Sequence, residues 1–143
     1  MLLFTLLHLM GCDEAIVYNT SRCDVQITEI TPTPLLTTET AEIIGHPFTE
    51  TWDSLATIDG TEIEVTTVSR QNCQECDECR QSYLCSPCDD CDECDPICKA
   101  DCVEKMEVVI PQDTEGNRQI QVTNSYGQSE PQMVEIQSTD PSR

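Results

Sequence analysis

The feature that most constrains the fold is a block of nine cysteines between Asn72 and Cys102, a stretch with almost no large apolar residue. Most of the cysteines recur at Cys-x-x-Cys spacing, and two wider gaps follow. A helix at this spacing would need apolar residues at the same steps, and Asp, Glu, Gln and Ser stand there instead. We therefore expect 72–102 to be a non-helical insertion. The cysteines of the block are Cys73, Cys76, Cys79, Cys85, Cys88, Cys91, Cys94, Cys98 and Cys102.

The chain begins with a short apolar segment, Met1 to Gly11, followed at once by Cys12 and two acidic residues. The segment is too short to cross a bilayer and has the length of a signal-peptide core. Leu9-Met10-Gly11-Cys12 resembles a bacterial lipobox, although no Lys or Arg precedes the apolar residues. The resemblance implies a cleaved signal over 1–11, a lipidated Cys12 and a polar tether over 12–24. A plain secretion signal and a buried core segment are the alternatives.

Two chemistries use the spacing of the cysteine block. Thiolates three residues apart can bind Zn²⁺ tetrahedrally, and in an oxidising compartment the same residues form disulfides. Parity favours disulfides, because a lipidated Cys12 leaves Cys23 and the nine cysteines of the block, and ten can pair completely. We expect five disulfides, with Cys23 joined to the block. Zinc bound by the Cys73–Cys102 cysteines is the alternative. A redox enzyme is disfavoured, because no βαβ pattern surrounds the motif.

Outside the block, short runs alternate between apolar and polar residues, as Met106, Val108 and Ile110 do. Period two with one polar face is typical of half-buried antiparallel strands, and Asp59-Gly60 is a hairpin signal. The sequence therefore predicts an all-β sandwich of about seven strands over 25–71 and 103–138, with a tail over 139–143. The predicted strands are Val25–Ile30, Thr40–Ile44, Leu55–Ile58, Thr61–Val68, Val103–Ile110, Arg118–Asn124 and Met133–Gln137. The predicted core is Ile43, Phe48, Ile63, Val65, Val108, Ile120, Val122 and Val134.

These strand segments resemble the IPT/TIG domain, an immunoglobulin-like module of the E-set type. The resemblance lies in a strand ending in a Gly-x-x-Phe turn, a glycine hairpin, a strand ending in proline, and a Val-x-Asn…Gly-x-Ser ending. It covers about 27–136 without the cysteine block, which stands where the family has a short loop. It implies a scaffold that spaces or binds proteins. The matching structural residues are Gly45, Phe48, Gly60, Pro111, Asn124 and Gly127.

Charge and the scarcity of catalytic residues limit the function. A net charge of −20 makes nucleic-acid binding unfavourable. His46 is the one histidine after the signal segment, so no Ser/His/Asp set can be built. Trp52 and Tyr126 are interpreted either as anchors for a partner or as side chains that fill the end of the sandwich.

The sequence therefore predicts a non-catalytic lipoprotein of the bacterial cell envelope, without a cofactor. It would be held on the membrane by its N-terminal lipid and face the periplasm or the cell exterior. The expected partner is another envelope or extracellular protein. The alternative is a metal-binding or metal-sequestering protein that uses zinc in the Cys-x-x-Cys block.

Overall fold

The structure, a computed structural model, describes residues 24–89 and 91–140. The predicted signal segment, Cys12 and Cys23 lie outside the described residues. Within these ranges the chain is mostly β-sheet with two α-helices. The strands are β1 (Gln26–Thr31), β2 (Leu35–Leu36), β3 (Thr40–His46), β4 (Leu55–Ile58), β5 (Thr61–Ile63), β6 (Val65–Gln71), β7 (Val103–Val109), β8 (Gly116–Asn124), β9 (Gly127–Gln128) and β10 (Gln132–Gln137). The helices are α1 (Gln74–Ser82) and α2 (Asp95–Asp101), and a short 3₁₀ helix spans Thr51–Asp53.

The strands form two sheets. The first sheet has the order β1-β3-β7-β6, and all its neighbours are antiparallel. The second has the order β2-β10-β8-β4-β5, with β9 paired to β8. In this sheet only the short β2 runs parallel to its neighbour, β10. The prediction of a β-rich chain is confirmed.

Buried side chains of both sheets belong to one hydrophobic cluster. Alternation along the strands creates this cluster. In β7, Glu104, Met106 and Val108 are buried and the residues between them are half-buried, and Ile110, directly after the strand, is buried as well. Six of the eight predicted core residues are buried in this cluster, and Val65 and Val134 pack against it. The predicted core is therefore confirmed.

The Asp59-Gly60 hairpin is also confirmed. Both residues have positive φ angles, 50° and 80°, and they join β4 to β5, whose residues Ile58 and Thr61 face each other. Positive φ at both central residues matches the twist of two-residue hairpins. The Asp59 carboxylate accepts a hydrogen bond from the Gln119 amide at 2.9 Å and pairs with Arg118 at 3.1 Å. The hydrogen bond from Gln119 is the main reason that the pKa of Asp59 is lowered, and Arg118 lowers it further.

The single strand predicted over Thr61–Val68 is two strands in different sheets. β5 pairs with β4 in the second sheet, whereas β6 pairs with β7 in the first. The chain passes from one sheet to the other at Glu64, whose carbonyl accepts the Val109 amide at 3.0 Å. Continuous alternation does not show such a crossing. The two-residue strands β2 and β9 are too short to produce a period and were not predicted.

The prediction that the cysteine block is non-helical is wrong, because α1 and α2 lie within it. The cysteines themselves supply the inward face that apolar residues supply in other helices. Cys76 and Cys94 are each 1% exposed, although polar residues surround them in sequence. Sulfur in a disulfide has no charge and packs as an apolar group. A search for Leu, Ile or Val at helical steps therefore overlooks these helices.

Candidate functional site

The insertion is a helical hairpin closed by nested disulfides. Cys73 bonds to Cys102, Cys76 to Cys98 and Cys79 to Cys94, so each bond lies inside the previous one. This nesting places α1 and α2 side by side in opposite directions. We call α1, α2 and their connection the disulfide hairpin. A fourth disulfide joins Cys85 to Cys91 within the connection, and Cys88 is also disulfide-bonded.

These bonds use the sulfurs that zinc would need. All nine cysteines of the block are disulfide-bonded, and a disulfide sulfur is not a thiolate ligand. Over 24–89 and 91–140, no group of three or more His, Cys, Asp or Glu side chains is arranged to hold a metal ion. The zinc alternative therefore has no supporting geometry in the described part of the chain.

Arg70, at the end of β6, ties the hairpin to the sheet. Its Nε donates to Glu104 of β7 at 2.9 Å, and its two terminal nitrogens donate to both oxygens of Asp77 on α1 at 3.0 Å each. The other Glu104 oxygen accepts the Phe48 amide at 2.7 Å. One guanidinium thus connects a strand, a helix and the turn after β3.

The charges in this network hold one another in place. Glu104 is 8% exposed, and a buried carboxylate is costly unless it is paired. Asp77 and, to a smaller extent, Glu104 raise the pKa of Arg70 above its ordinary value. Planar bidentate pairing also sets the direction of the groups it joins. The network therefore sets the angle of α1 against the first sheet.

Two adjoining cavities run beneath the hairpin and share Phe48, Arg70 and Tyr126 as walls. One, of about 330 Å³, extends to Trp52 and Val68. The other, of about 270 Å³, extends to the hairpin residues Arg80, Gln81 and Pro87. We call this continuous surface the pole groove.

Trp52 projects from the rim of the pole groove. It lies in the 3₁₀ helix and is 86% exposed, so it does not fill the end of the sheets. Of its two predicted roles, the filling role is wrong. Tyr126 is half-buried in the wall of both cavities. The groove therefore presents the projecting ring of Trp52 above a wall that contains the rings of Phe48 and Tyr126.

Four of the residues predicted from the IPT/TIG resemblance lie near this groove. A Cβ on Gly45 would stand 2.8 Å from the ring of Phe48 and would collide with the carbonyl oxygen of Gln26. Asn124 donates to the Pro47 carbonyl at 2.9 Å and accepts the Tyr126 amide at 2.9 Å, next to Gly127 in β9. Gly60 and Pro111 lie in turns elsewhere, after β4 and β7. The first four residues thus shape the turns that border the groove.

The remaining residues near the site are His46, which was expected in a turn, and three charged residues that were not predicted. His46 is an exposed strand end, beside the turn expected for it. Glu104, Arg70 and Arg80 were missed. Glu104 could have been found, because a carboxylate stands at an inward position of the β7 alternation, where an apolar residue is expected. Such a position indicates a partnered charge. The positions of Arg70 and Arg80 depend on the hairpin, which the alternation does not reveal.

Comparison with known proteins assigns no family. No protein-family model matches the chain, and no curated protein matches its sequence. Among the helices that the structure describes, none is long and apolar enough to cross a membrane.

Proposed function

We propose that the protein is a non-catalytic binding module in which an immunoglobulin-like sandwich of IPT/TIG type displays the disulfide hairpin to a partner protein. The strand order supports the sandwich. An immunoglobulin constant domain has strands A, B, E and D in one sheet and C, F and G in the other. With β1, β3, β7 and β6 taken as A, B, E and D, the order of the first sheet is the same. In the second sheet, β10, β8 and β4 correspond to G, F and C, and they too stand in the order of the immunoglobulin domain.

The exposed Trp52 at the pole groove carries the proposal. Tryptophan is one of the residues that most often dominate binding energy at protein interfaces. The chain has only six Phe, Trp and Tyr residues, yet its one tryptophan is 86% exposed beside a cavity. Exposure of such a side chain has no benefit for folding, because burying it would remove apolar area from water. Its position favours a role as an anchor in a partner's pocket.

Charge indicates the kind of partner. The chain has a net charge of −20, and Trp52 stands in the 3₁₀ helix between Asp53, the last residue of that helix, and Thr51, which follows Glu50. Opposite charges around an interface speed association and suppress wrong partners. The partner therefore presents an apolar pocket with a basic rim.

The compartment is part of the same proposal. Persistent disulfides are typical of secreted and cell-surface proteins. The four disulfides of the hairpin therefore favour the periplasm or the cell exterior. Lipidation at Cys12, outside the described residues, would hold the module on a membrane. The polar tether over 12–24 would then extend the module from the membrane surface.

The test is capture of a partner by the mature protein. Protein beginning at residue 13, with its disulfides intact, is immobilised and exposed to envelope extract, and bound proteins are identified by mass spectrometry. Trp52→Ala is compared with Met133→Ala. Met133 is an exposed apolar residue (62%) on β10, so its loss controls for general stickiness. Circular dichroism verifies that both variants are folded.

We expect Trp52→Ala to weaken binding of the captured partner at least about tenfold and Met133→Ala to leave it unchanged. Equal loss in both variants, or no loss in either, would show that the pole groove is not the binding surface. Binding that disappears after reduction of the disulfides, with the β signal retained, would place part of the contact on the hairpin.

A further inference from the structure

A third cavity lies between the disulfide hairpin and β3, and it shares part of its wall, including Arg80 and Glu104, with the pole groove. It has a volume of about 300 Å³, the lower end of the range for small-molecule sites. We call it the hairpin pocket. Ile44, Pro47 and Val103 provide apolar wall. The basic side chains in the wall are His46, Arg80 and Lys99, and the acidic ones are Asp95 and Glu104.

Arg80 is unusual among the basic residues of this protein. Arg70, Lys99, Lys105 and Arg118 each form an ion pair. Arg80 is half-buried, yet among residues 24–89 and 91–140 its guanidinium has no hydrogen bond and no ion pair. In a chain with 27 Asp and Glu residues, an arginine that forms no ion pair within the described part is unexpected.

Three carboxylates lie near Arg80, and each has a hydrogen-bond partner of its own. The Asp89 carboxylate accepts the Ser86 amide at 2.6 Å, which is the main reason that its pKa is lowered, and the charge of Arg80 lowers it further. Glu104 lines the hairpin pocket, but its two oxygens accept from Phe48 and Arg70. Asp95 also lines the pocket and pairs with Lys99 at 2.5 Å. The hydrogen bond with Lys99 is the main reason that the pKa of Asp95 is lowered, and the charges of Arg80 and His46 act in the same direction. These acids therefore act on Arg80 through their charge, but each makes its hydrogen bonds and ion pairs with another group.

We propose that the hairpin pocket binds a small carboxylate with a compact apolar group, and that Arg80 is its anchor. A guanidinium binds a carboxylate through two parallel hydrogen bonds, and this geometry suits a planar anion better than a spherical one. The wall formed by Ile44, Pro47 and Val103 would contact the apolar group. Such a ligand has two sources: the terminal residue of a polypeptide or a free short-chain acid.

The pocket is held open by covalent bonds. Arg80 lies on α1 and Lys99 on α2, and the disulfide between Cys76 and Cys98, both in the pocket wall, fixes these helices side by side. A ligand therefore meets a preformed site and does not have to order it, which lowers the cost of binding. The proposal does not depend on the proposed function, because it rests on the hairpin pocket and Arg80 and not on Trp52.

The test is an NMR titration of the oxidised protein that follows backbone amides of the hairpin and the Nε–H of Arg80. N-acetyl-L-leucine imitates a polypeptide terminus, and hexanoate imitates a free acid. N-acetyl-L-leucinamide is the neutral analogue, and inorganic phosphate tests for general anion binding. Arg80→Gln removes the anchor, Arg80→Lys keeps the charge without the planar fork, and Arg118→Gln is the control for losing one positive charge.

We expect saturable shifts with at least one carboxylate and none with the amide. Affinity should fall at least about tenfold in Arg80→Gln, fall less in Arg80→Lys and stay unchanged in Arg118→Gln. Tighter binding of N-acetyl-L-leucine identifies a polypeptide terminus as the source, and tighter binding of hexanoate identifies a free acid. Absence of saturable shifts, equal shifts with the amide or with phosphate, or unchanged affinity in Arg80→Gln would overturn the proposal.

Discussion

Replacing Arg70 by alanine tests whether the charge network fastens the hairpin to the sheet. The change removes three hydrogen bonds to carboxylates at once: one to Glu104 at 2.9 Å and two to Asp77 at 3.0 Å. Within residues 24–89 and 91–140, Glu104 is then left with the Phe48 amide as its only hydrogen-bond donor. A nearly buried carboxylate then loses its cation.

The size of the effect follows from exposure. The Glu104 side chain is 10% exposed, and losing a charge-assisted hydrogen bond to such a group costs about 1.5–3 kcal/mol. The Asp77 side chain is 39% exposed, and an ion pair of that kind contributes about 0–1 kcal/mol. Arg70 itself is 40% exposed, so solvent replaces part of what is lost, and the full cost of about 3–5 kcal/mol for breaking a buried pair does not apply. We expect Arg70→Ala to lower the free energy of unfolding by about 2–3 kcal/mol.

The measurement is urea unfolding at neutral pH, without reductant, followed by far-ultraviolet circular dichroism. Asp77→Asn and Glu104→Gln complete two double-mutant cycles with Arg70→Ala. The coupling of Arg70 to Glu104 should exceed its coupling to Asp77, because the first pair is more buried. Arg118→Ala, which removes an exposed pair with Asp59, serves as the control and should cost under about 1 kcal/mol.

A loss of unfolding free energy in Arg70→Ala that is no larger than the loss in Arg118→Ala would contradict the expected role of the network. A coupling energy between Arg70 and Asp77 that exceeds the one between Arg70 and Glu104 would contradict it as well. Either result would mean that burial of Glu104 does not determine the strength of the network.

Gly45→Ala should lower the free energy of unfolding by about 1–3 kcal/mol, because its Cβ would collide with the carbonyl oxygen of Gln26 and stand 2.8 Å from the ring of Phe48; an unchanged urea midpoint would contradict this. The pKa of Asp59 is lowered in the folded protein, so its carboxylate stabilises the fold at a pH above 3.8, its ordinary pKa. This stabilisation is lost as the pH falls through the lower pKa of the folded state. Asp59→Asn should therefore reduce the loss of stability between about pH 5 and pH 2, and an unaltered acid dependence would count against the assignment. Peptide mapping without reductant should link Cys88 to Cys23, because the other cysteines of the block pair among themselves; a peptide joining Cys88 to any other cysteine would refute it.

The sheet part of the fold could be predicted from the sequence because each strand has one buried face. The predicted Leu55–Ile58 coincides with β4, and the predicted Val103–Ile110 differs from β7 by one residue. The crossing at Glu64 could not be predicted, because alternation continues through it while the strand partner changes. Pairing between distant strands depends on tertiary packing, which local period does not encode.

The site was less predictable than the sheets. Trp52 and Tyr126 were identified as candidates because both were expected in loops at the end of the sandwich that carries the insertion, but their exposure depends on how the turns fold. The helices were missed because disulfides replace their apolar face. Cysteine connectivity cannot be deduced from spacing, and the pockets under the hairpin exist only once that connectivity brings α1 and α2 together.

The Cys73–Cys102 bond has a consequence for how the first sheet forms. It joins residues that are 29 apart in sequence. Just outside the bond, Gln71 of β6 faces Val103 of β7 in the first sheet. Once oxidised, the whole insertion acts as a short connection between two neighbouring strands, so pairing that would be non-local becomes local. Urea leaves this connection intact, and the unfolded ensemble retains β6 and β7 tethered at one end. The length of the insertion can therefore change without slowing the search for the correct strand partner.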